Sequence, residues 1–141
     1  MIHIRTMTDD DLEPARRLLG QLGYDMAVGE LARRLAAVTV DGHATWVAEL
    51  DGRVVGLLHM YRRSTLDKGT EAIVQSVVVD EACRTGGVGR ALMARAERWA
   101  AERSLPSIAL SSNVARTGAH AFYERLGYRR TSTSLWLRKT L

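Results

Sequence analysis

Hydrophobic positions follow two periods along this chain, and the switches between them outline its elements. Ile2 and Ile4 alternate with polar neighbours, the two-residue repeat of a short strand. Thr8 followed by Asp11 is a helix-start signal, and the acidic run at 9–11 suits the positive end of a helix. Leu12, Ala15, Leu19 and Leu22 then recur at helical spacing. Val28, Leu31, Leu35 and Val38 carry a second helix that ends near Asp41-Gly42. From Ala44 the period is two. Residues 45–50 and 53–61 are β-rich runs separated by Asp51-Gly52, a strong hairpin signal. A polar loop at 64–70 leads to residues 71–79, an apolar run that fits a central strand.

Behind a Gly-rich turn, Val88, Leu92, Ala96 and Trp99 form one stripe of a long helix reaching about Arg103. Pro106 breaks it, residues 107–112 form a short strand, and Ala119, Phe122 and Leu126 line a further helix stopped by Gly127. Residues 128–131 and 135–140 are expected to close the chain as two strands, and Trp46, Trp99 and Trp136 are expected in the core. The predicted order is β-α-α-β-β-β-α-β-α-β-β, one α/β domain over residues 1–141.

Composition narrows the class. With 141 residues, 46% hydrophobic and 26% charged, the chain has the profile of an ordinary globular domain. It has no apolar run of about 18 residues to span a membrane, and its first residues lack the apolar core of a signal peptide, so the expected location is cytoplasmic. Cys83 is the one cysteine, which fits a reducing compartment. The net charge of +4 admits an anionic ligand, but the arginines are scattered as doublets and form no stripe for nucleic acid. His3, His43 and His59 lack metal-ligand spacing, and no metal is expected.

The chemistry concentrates in the strand–turn–helix at 71–103. A strand entering Arg84-Thr85-Gly86-Gly87-Val88-Gly89-Arg90 and then a helix is built to hold an anion. Its glycines admit close approach of backbone N–H groups, and Arg84 and Arg90 add charges that pair with phosphate. A nucleotide P-loop fails here, because Arg90 and Ala91 follow Gly89 where Lys and Ser or Thr are required. A dinucleotide fingerprint fails on spacing and on its central position in the chain. The pattern R-x-x-G-x-G is met by Arg84, Gly87 and Gly89.

That loop, the preceding Val77-Val78-Val79-Asp80 and the tail from Asn113 through Ala119-His120-Ala121-Phe122-Tyr123-Glu124-Arg125-Leu126-Gly127-Tyr128 resemble the GNAT N-acetyltransferase superfamily. The resemblance implies a GNAT fold, a mixed and mostly antiparallel twisted sheet with helices on both faces, and acetyl-CoA as cofactor. It implies that main-chain groups of Val77 and Val79 meet the pantetheine arm and that the amides of Thr85, Gly86, Gly87, Val88, Gly89 and Arg90 hold the pyrophosphate. Asn113 matches a residue that often bonds the cofactor; it reads equally as a cap for the helix that follows. Tyr123 matches the family's general acid, a phenol that stays protonated near neutral pH and can reprotonate the leaving thiolate.

The base is left open. Many relatives carry a Glu where this chain has Gln75, and Gln accepts no proton. Glu71 shares the face of Gln75 but lies about 13 Å away along a strand. Both are candidates for contact with the acceptor. His120, close to Tyr123, reads as a bystander. The implied activity is acetyl transfer to a primary amine of a small molecule. The alternatives are acetylation of a protein amine and an acyl-CoA-binding module without catalysis. The terminal run with Leu135 and Leu137 could pair across a homodimer.

Overall fold

The computed structural model describes residues 1–84 and 86–141. They divide into two compact units, Met1–Ser111 and Ser112–Leu141. In the first unit, β1 (Ile2–Thr6), α1 (Leu12–Gln21), α2 (Val28–Val38), β2 (His43–Leu50), β3 (Arg53–Thr65), β4 (Gly69–Val79), α3 (Val88–Glu102) and β5 (Ile108–Leu110) follow one another. The strands lie in chain order as one five-stranded sheet. Every neighbouring pair is antiparallel except β4 and β5, which run parallel.

The expected period switches produce these elements. Asp51 and Gly52 make the β2–β3 turn with φ of 53° and 76°, both left-handed, as a two-residue hairpin loop that follows strand twist requires. At the first helix start, the Thr8 N–H donates to Asp11 Oδ2 at 2.8 Å. Asp11 is 3% exposed, and Arg5 donates to both its oxygens at 2.8 Å. Arg5 also pairs with Glu49, so β1, β2 and the entry to α1 are joined through one guanidinium.

Helices cover both faces of the sheet. Ala15, Leu18, Leu31 and Leu35 of α1 and α2 pack with Val47, Leu57 and Val78 on one face. On the other face α3 buries Val88, Leu92, Met93, Ala96 and Trp99 against the sheet, where Leu58 and Met60 are fully buried. Gly56 sets how near α3 comes. A Cβ there would stand 2.8 Å from Val88 Cγ1 and 3.0 Å from Leu92 Cδ1, so the strand needs a residue without a side chain.

The second unit holds α4 (Thr117–Arg125), ended by Gly127 at φ 96°. Here the sequence reading needs correction, because residues 128–141 form no strand. An extended apolar run becomes a strand only when another strand accepts its main-chain bonds. Leu135, Trp136 and Leu137 are 88%, 84% and 91% exposed, so Trp136 is not core, whereas Trp46 and Trp99 are.

The Gly56 contact predicts that Gly56→Ala lowers unfolding stability by about 1–3 kcal/mol, the usual cost of overpacking a filled interior. Urea unfolding of the two proteins checks this; equal midpoints would mean that α3 sits looser than its contacts indicate.

Candidate active site

The site begins where β4 leaves β5. Their pairing is confined to Ala72, Ile73 and Val74 against Ile108, Ala109 and Leu110, whereas β4 pairs with β3 along its whole length to Val79. The Ala72 N–H donates toward β5, to Ser107 O at 3.0 Å. At the far end the Asp80 N–H donates the other way, to Val55 O on β3 at 2.8 Å. Counting back by two from Asp80 turns Ser76 and Val78 toward β3 and Val77 and Val79 toward the gap. The change of phase is absorbed between His59 and Met60, opposite Ser76 and Val74, so Gln75 is the extra residue of a β-bulge. Gln75 is exposed.

Beyond Val79 the chain makes a 3-10 turn at Glu81–Cys83 and enters α3 through Gly87. Gly87 has φ 83°, a left-handed conformation that favours glycine, and no side chain caps the helix. The first-turn N–H groups of Val88, Gly89 and Arg90 lack intrahelical acceptors and face outward with the positive helix end. The Gly86 N–H is engaged with Cys83 O at 3.2 Å. Arg84 and Arg90 are exposed beside this turn, and Arg84 Nε donates to Val79 O at 3.4 Å. Thr85 lies outside the described residues. An unpaired strand edge running into an uncapped helix start flanked by two arginines fits a ligand with an amide-bearing arm and a pyrophosphate.

The turn is anchored from α1. Asp80, 5% exposed, accepts from Arg17 Nη1 at 2.8 Å, from Gln21 Nε2 at 3.5 Å and from the Ala82 N–H at 3.1 Å. Gln21 Oε1 in turn accepts the Glu81 N–H at 3.0 Å. The Arg17 guanidinium, followed by the Ala82 amide, holds the Asp80 carboxyl below its ordinary value. Asp80 stands in the sequence as the end of the Val77-Val78-Val79-Asp80 motif, but its pairing with Arg17 and Gln21 of α1 is visible only in the fold.

Gln75 and Glu71 lie on the sheet face away from α3. Glu71 is committed there: Oε1 accepts from Arg63 Nη2 at 2.7 Å and Oε2 from Ser107 Oγ at 3.1 Å. In the second unit, Asn113 Oδ1 accepts the Ala115 N–H at 2.9 Å, and Asn113 O accepts the Arg116 N–H at 2.9 Å and His120 Nε2 at 2.8 Å. Asn113 thus shapes the turn before α4, with His120 fastening it. Tyr123 is half-buried, with ring centroids 5.1 Å from Phe122 and 6.0 Å from Tyr128. Burial pushes its phenol above the ordinary value, with the nearby Arg116 charge pulling the other way. Tyr123 is therefore fully protonated at neutral pH. Among the described residues no group of three or more His, Cys, Asp or Glu is arranged to hold a metal, and no helix is long and apolar enough to cross a membrane.

A parted sheet edge feeding a glycine-started helix makes a place for an extended, phosphate-bearing cofactor. The model of the Acetyltransferase (GNAT) family matches residues 25–128, and the chain belongs to that family, whose members are acetyl-CoA-dependent N-acetyltransferases. It is similar to an uncharacterized N-acetyltransferase of Bacillus subtilis (strain 168), 24% identical over 131 residues that cover 91% of this chain and 92% of that protein. An aminoglycoside N(6')-acetyltransferase of Stenotrophomonas maltophilia is 27% identical over 121 residues, 83% of this chain and 78% of that protein. Among solved structures, an aminoglycoside N-acetyltransferase in complex with CoA has a TM-score of 0.87 at 23% identity, covering 100% of this chain and 96% of that one.

The Asp80 clamp sets an acid dependence. A carboxyl whose folded value lies below its ordinary one stabilises the fold above the unfolded value and loses that contribution as pH falls through the folded one. Asp80 and Asp11 are both of this kind. The wild type should lose stability steeply below about pH 4, the unfolded carboxyl range. Asp80→Asn should start lower at pH 7 and fall less steeply, converging with wild type in acid. Parallel pH curves in urea unfolding would contradict the clamp.

Proposed function

We propose that the protein transfers acetyl from acetyl-CoA to a primary amine of a small molecule, by direct attack with both substrates bound. The observation that carries this reading is the parting of β4 from β5 after Val74, directly upstream of the Gly87-started helix. Acetyl-CoA supplies the activated thioester. The main chain of Val77 and Val79 binds the pantetheine amides as a further strand would, and the Val77 N–H polarises the thioester carbonyl. The amides of Gly87, Val88, Gly89 and Arg90 hold the pyrophosphate, with Arg84 and Arg90 as counter-charges; Thr85 and Gly86 complete the loop. Asn113 adds a polar contact to the cofactor.

Tyr123 donates the proton that the departing sulfur requires. Its support is the motif match together with a phenol held protonated by burial. Gln75 and Glu71 line the acceptor side of β4. Most of the rate gain comes from holding amine and thioester in attack geometry, an effect of about 7–11 kcal/mol at its best. The similar aminoglycoside acetyltransferases support a small-molecule acceptor. The exposed run Leu135, Trp136 and Leu137 supports a homodimer.

Two outcomes test this. Tyr123→Phe should leave acetyl-CoA affinity in calorimetric titration nearly unchanged and lower kcat at least about tenfold, the lower range of general-acid effects; unchanged kcat in single turnover would remove Tyr123 from the acid role. Gly87→Trp should abolish acetyl-CoA binding while circular dichroism shows a folded protein, since a side chain there enters the phosphate site. Retained affinity would reduce the loop to a turn.

A further inference from the structure

On the acceptor face, three rings stand side by side that the reaction as described leaves without a role. His59 and Tyr61 alternate with Leu58 and Met60, which are buried under α3, so they project to the opposite face. His43 of β2 pairs with Tyr61 of β3 across the ladder and joins them there. The His43 and His59 rings are stacked at 5.3 Å with planes 8° apart, and Tyr61 stacks on His43 at 5.3 Å and on His59 at 6.2 Å. His43 Nδ1 lies 3.0 Å from His59 Nε2, a hydrogen bond between imidazoles. Each ring keeps its other nitrogen outside that bond, Nδ1 on His59 and Nε2 on His43.

Their place in the sheet matters as much as their contact. His59 is the cross-strand partner of Ser76, at the bulge created by Gln75 and one residue before Val77. Directly opposed residues of an antiparallel pair have Cα atoms about 4.5–5.5 Å apart. His59 therefore flanks the stretch of β4 where the thioester carbonyl is proposed to lie, on the face that α3 does not cover. All three rings are half-buried. The α1–α2 core cluster takes in Leu57 and Val47 of the same strands and stops short of them.

We propose that the His43–His59 pair is the proton-accepting group of the transferase, removing the proton from the acceptor ammonium and passing it to water. The inference rests on the acetyl-transfer reading above. His59 Nδ1 takes a proton from R–NH3+, leaving the amine lone pair free to attack. The bridging proton moves from His59 Nε2 to His43 Nδ1, and His43 Nε2–H releases its proton to water. In the first two steps one N–H bond forms as another breaks; in the last the His43 Nε2–H bond breaks as an O–H bond forms on water, and one proton reaches solvent. The pair resets when His43 Nε2 takes a proton from water, the bridging proton returns from His43 Nδ1 to His59 Nε2, and His59 Nδ1–H gives its proton to water.

Burial, followed by the neighbouring His43, pushes the His59 imidazole down to about 4, so it is neutral across the working range. A base this weak holds no proton of its own, so its uptake from the ammonium must run together with the onward transfer to His43. The other charged or titratable groups on this face are His3 and Arg5 on β1, Glu49 on β2, Tyr61 and Arg63 on β3, Glu71 on β4 and Asp80 just after it, with Arg63 paired to Glu71 and Arg17 of α1 to Asp80. Arg5 of β1 is occupied by Asp11 and Glu49. None of these offers a free carboxylate at the bulge, where Gln75 cannot accept a proton.

The test uses the full chain and CoA release with a panel of small primary amines from pH 7 to 10. His59→Ala should bind acetyl-CoA as tightly as wild type in calorimetry and lose about tenfold or more in kcat/KM for the amine at pH 7. The loss should shrink toward pH 10, where the amine arrives deprotonated, and added imidazole should restore part of the rate at pH 7. His43→Gln, which keeps His59, should give the same pH signature. A loss constant across pH, or absence of rescue with acetyl-CoA affinity intact, overturns the relay and leaves the transferase reading standing. Acetyl-CoA binding without wild-type turnover of any amine at any pH overturns both.

Discussion

Everything in the first unit is arranged around the unpaired edge of β4 between the bulge and Val79. Buried or half-buried main-chain N–H and C=O groups demand partners, and an edge left open beside a packed sheet is held open only at a cost. β3 makes that possible. It is the longest strand, Arg53–Thr65, and it pairs with β4 along the full length of the latter, so β4 keeps one partner after β5 has left it. The same β3 carries Gly56, whose missing side chain lets Val88 and Leu92 of α3 approach the sheet. The open edge and the helix start thus share one support, since Gly56 is the cross-strand partner of Val79.

The Asp80 clamp ties the turn before α3 to the opposite face of the sheet. Asp80 follows β4, begins the turn into α3, and accepts from Arg17 and Gln21 of α1, a helix packed on the sheet face opposite α3. A buried carboxylate stripped of its cation leaves an uncompensated charge, so the clamp holds α1 and the turn in one arrangement. Geometry at the turn before α3 therefore depends on a helix packed on the opposite face of the sheet.

Much of this was legible in the sequence, for reasons that separate local from distant physics. The Asp51-Gly52 hairpin, the two opening helices and the Gly-rich helix start are local signals, each set by residues a few positions apart. Gly56 carried a weaker one, as a glycine inside a strand. The bulge at Gln75 carried none, because a single extra residue is visible only against its partner strand. The closing strands were misread for a related cause: residues 135–140 have strand-like alternation, but alternation supplies no edge to pair with. The Arg17–Asp80 and His43–His59 contacts join residues 63 and 16 positions apart. No local pattern encodes such pairs, so they waited on the sheet register.

That register also reframes the missing carboxylate. A Glu at the bulge would attract the acceptor ammonium and, by the same Coulomb term, hold its proton more tightly. Gln75 gives neither effect, and Glu71 has its charge answered by Arg63. The hydrogen-bonded imidazoles of His59 and His43, one strand away, separate the two tasks. They offer no carboxylate to hold the ammonium, and they provide a second nitrogen through which the proton can leave. In such a site the cation is recognised elsewhere, and the proton path is left to geometry: a hydrogen bond of 3.0 Å between two stacked rings, set by the pairing of β2 with β3.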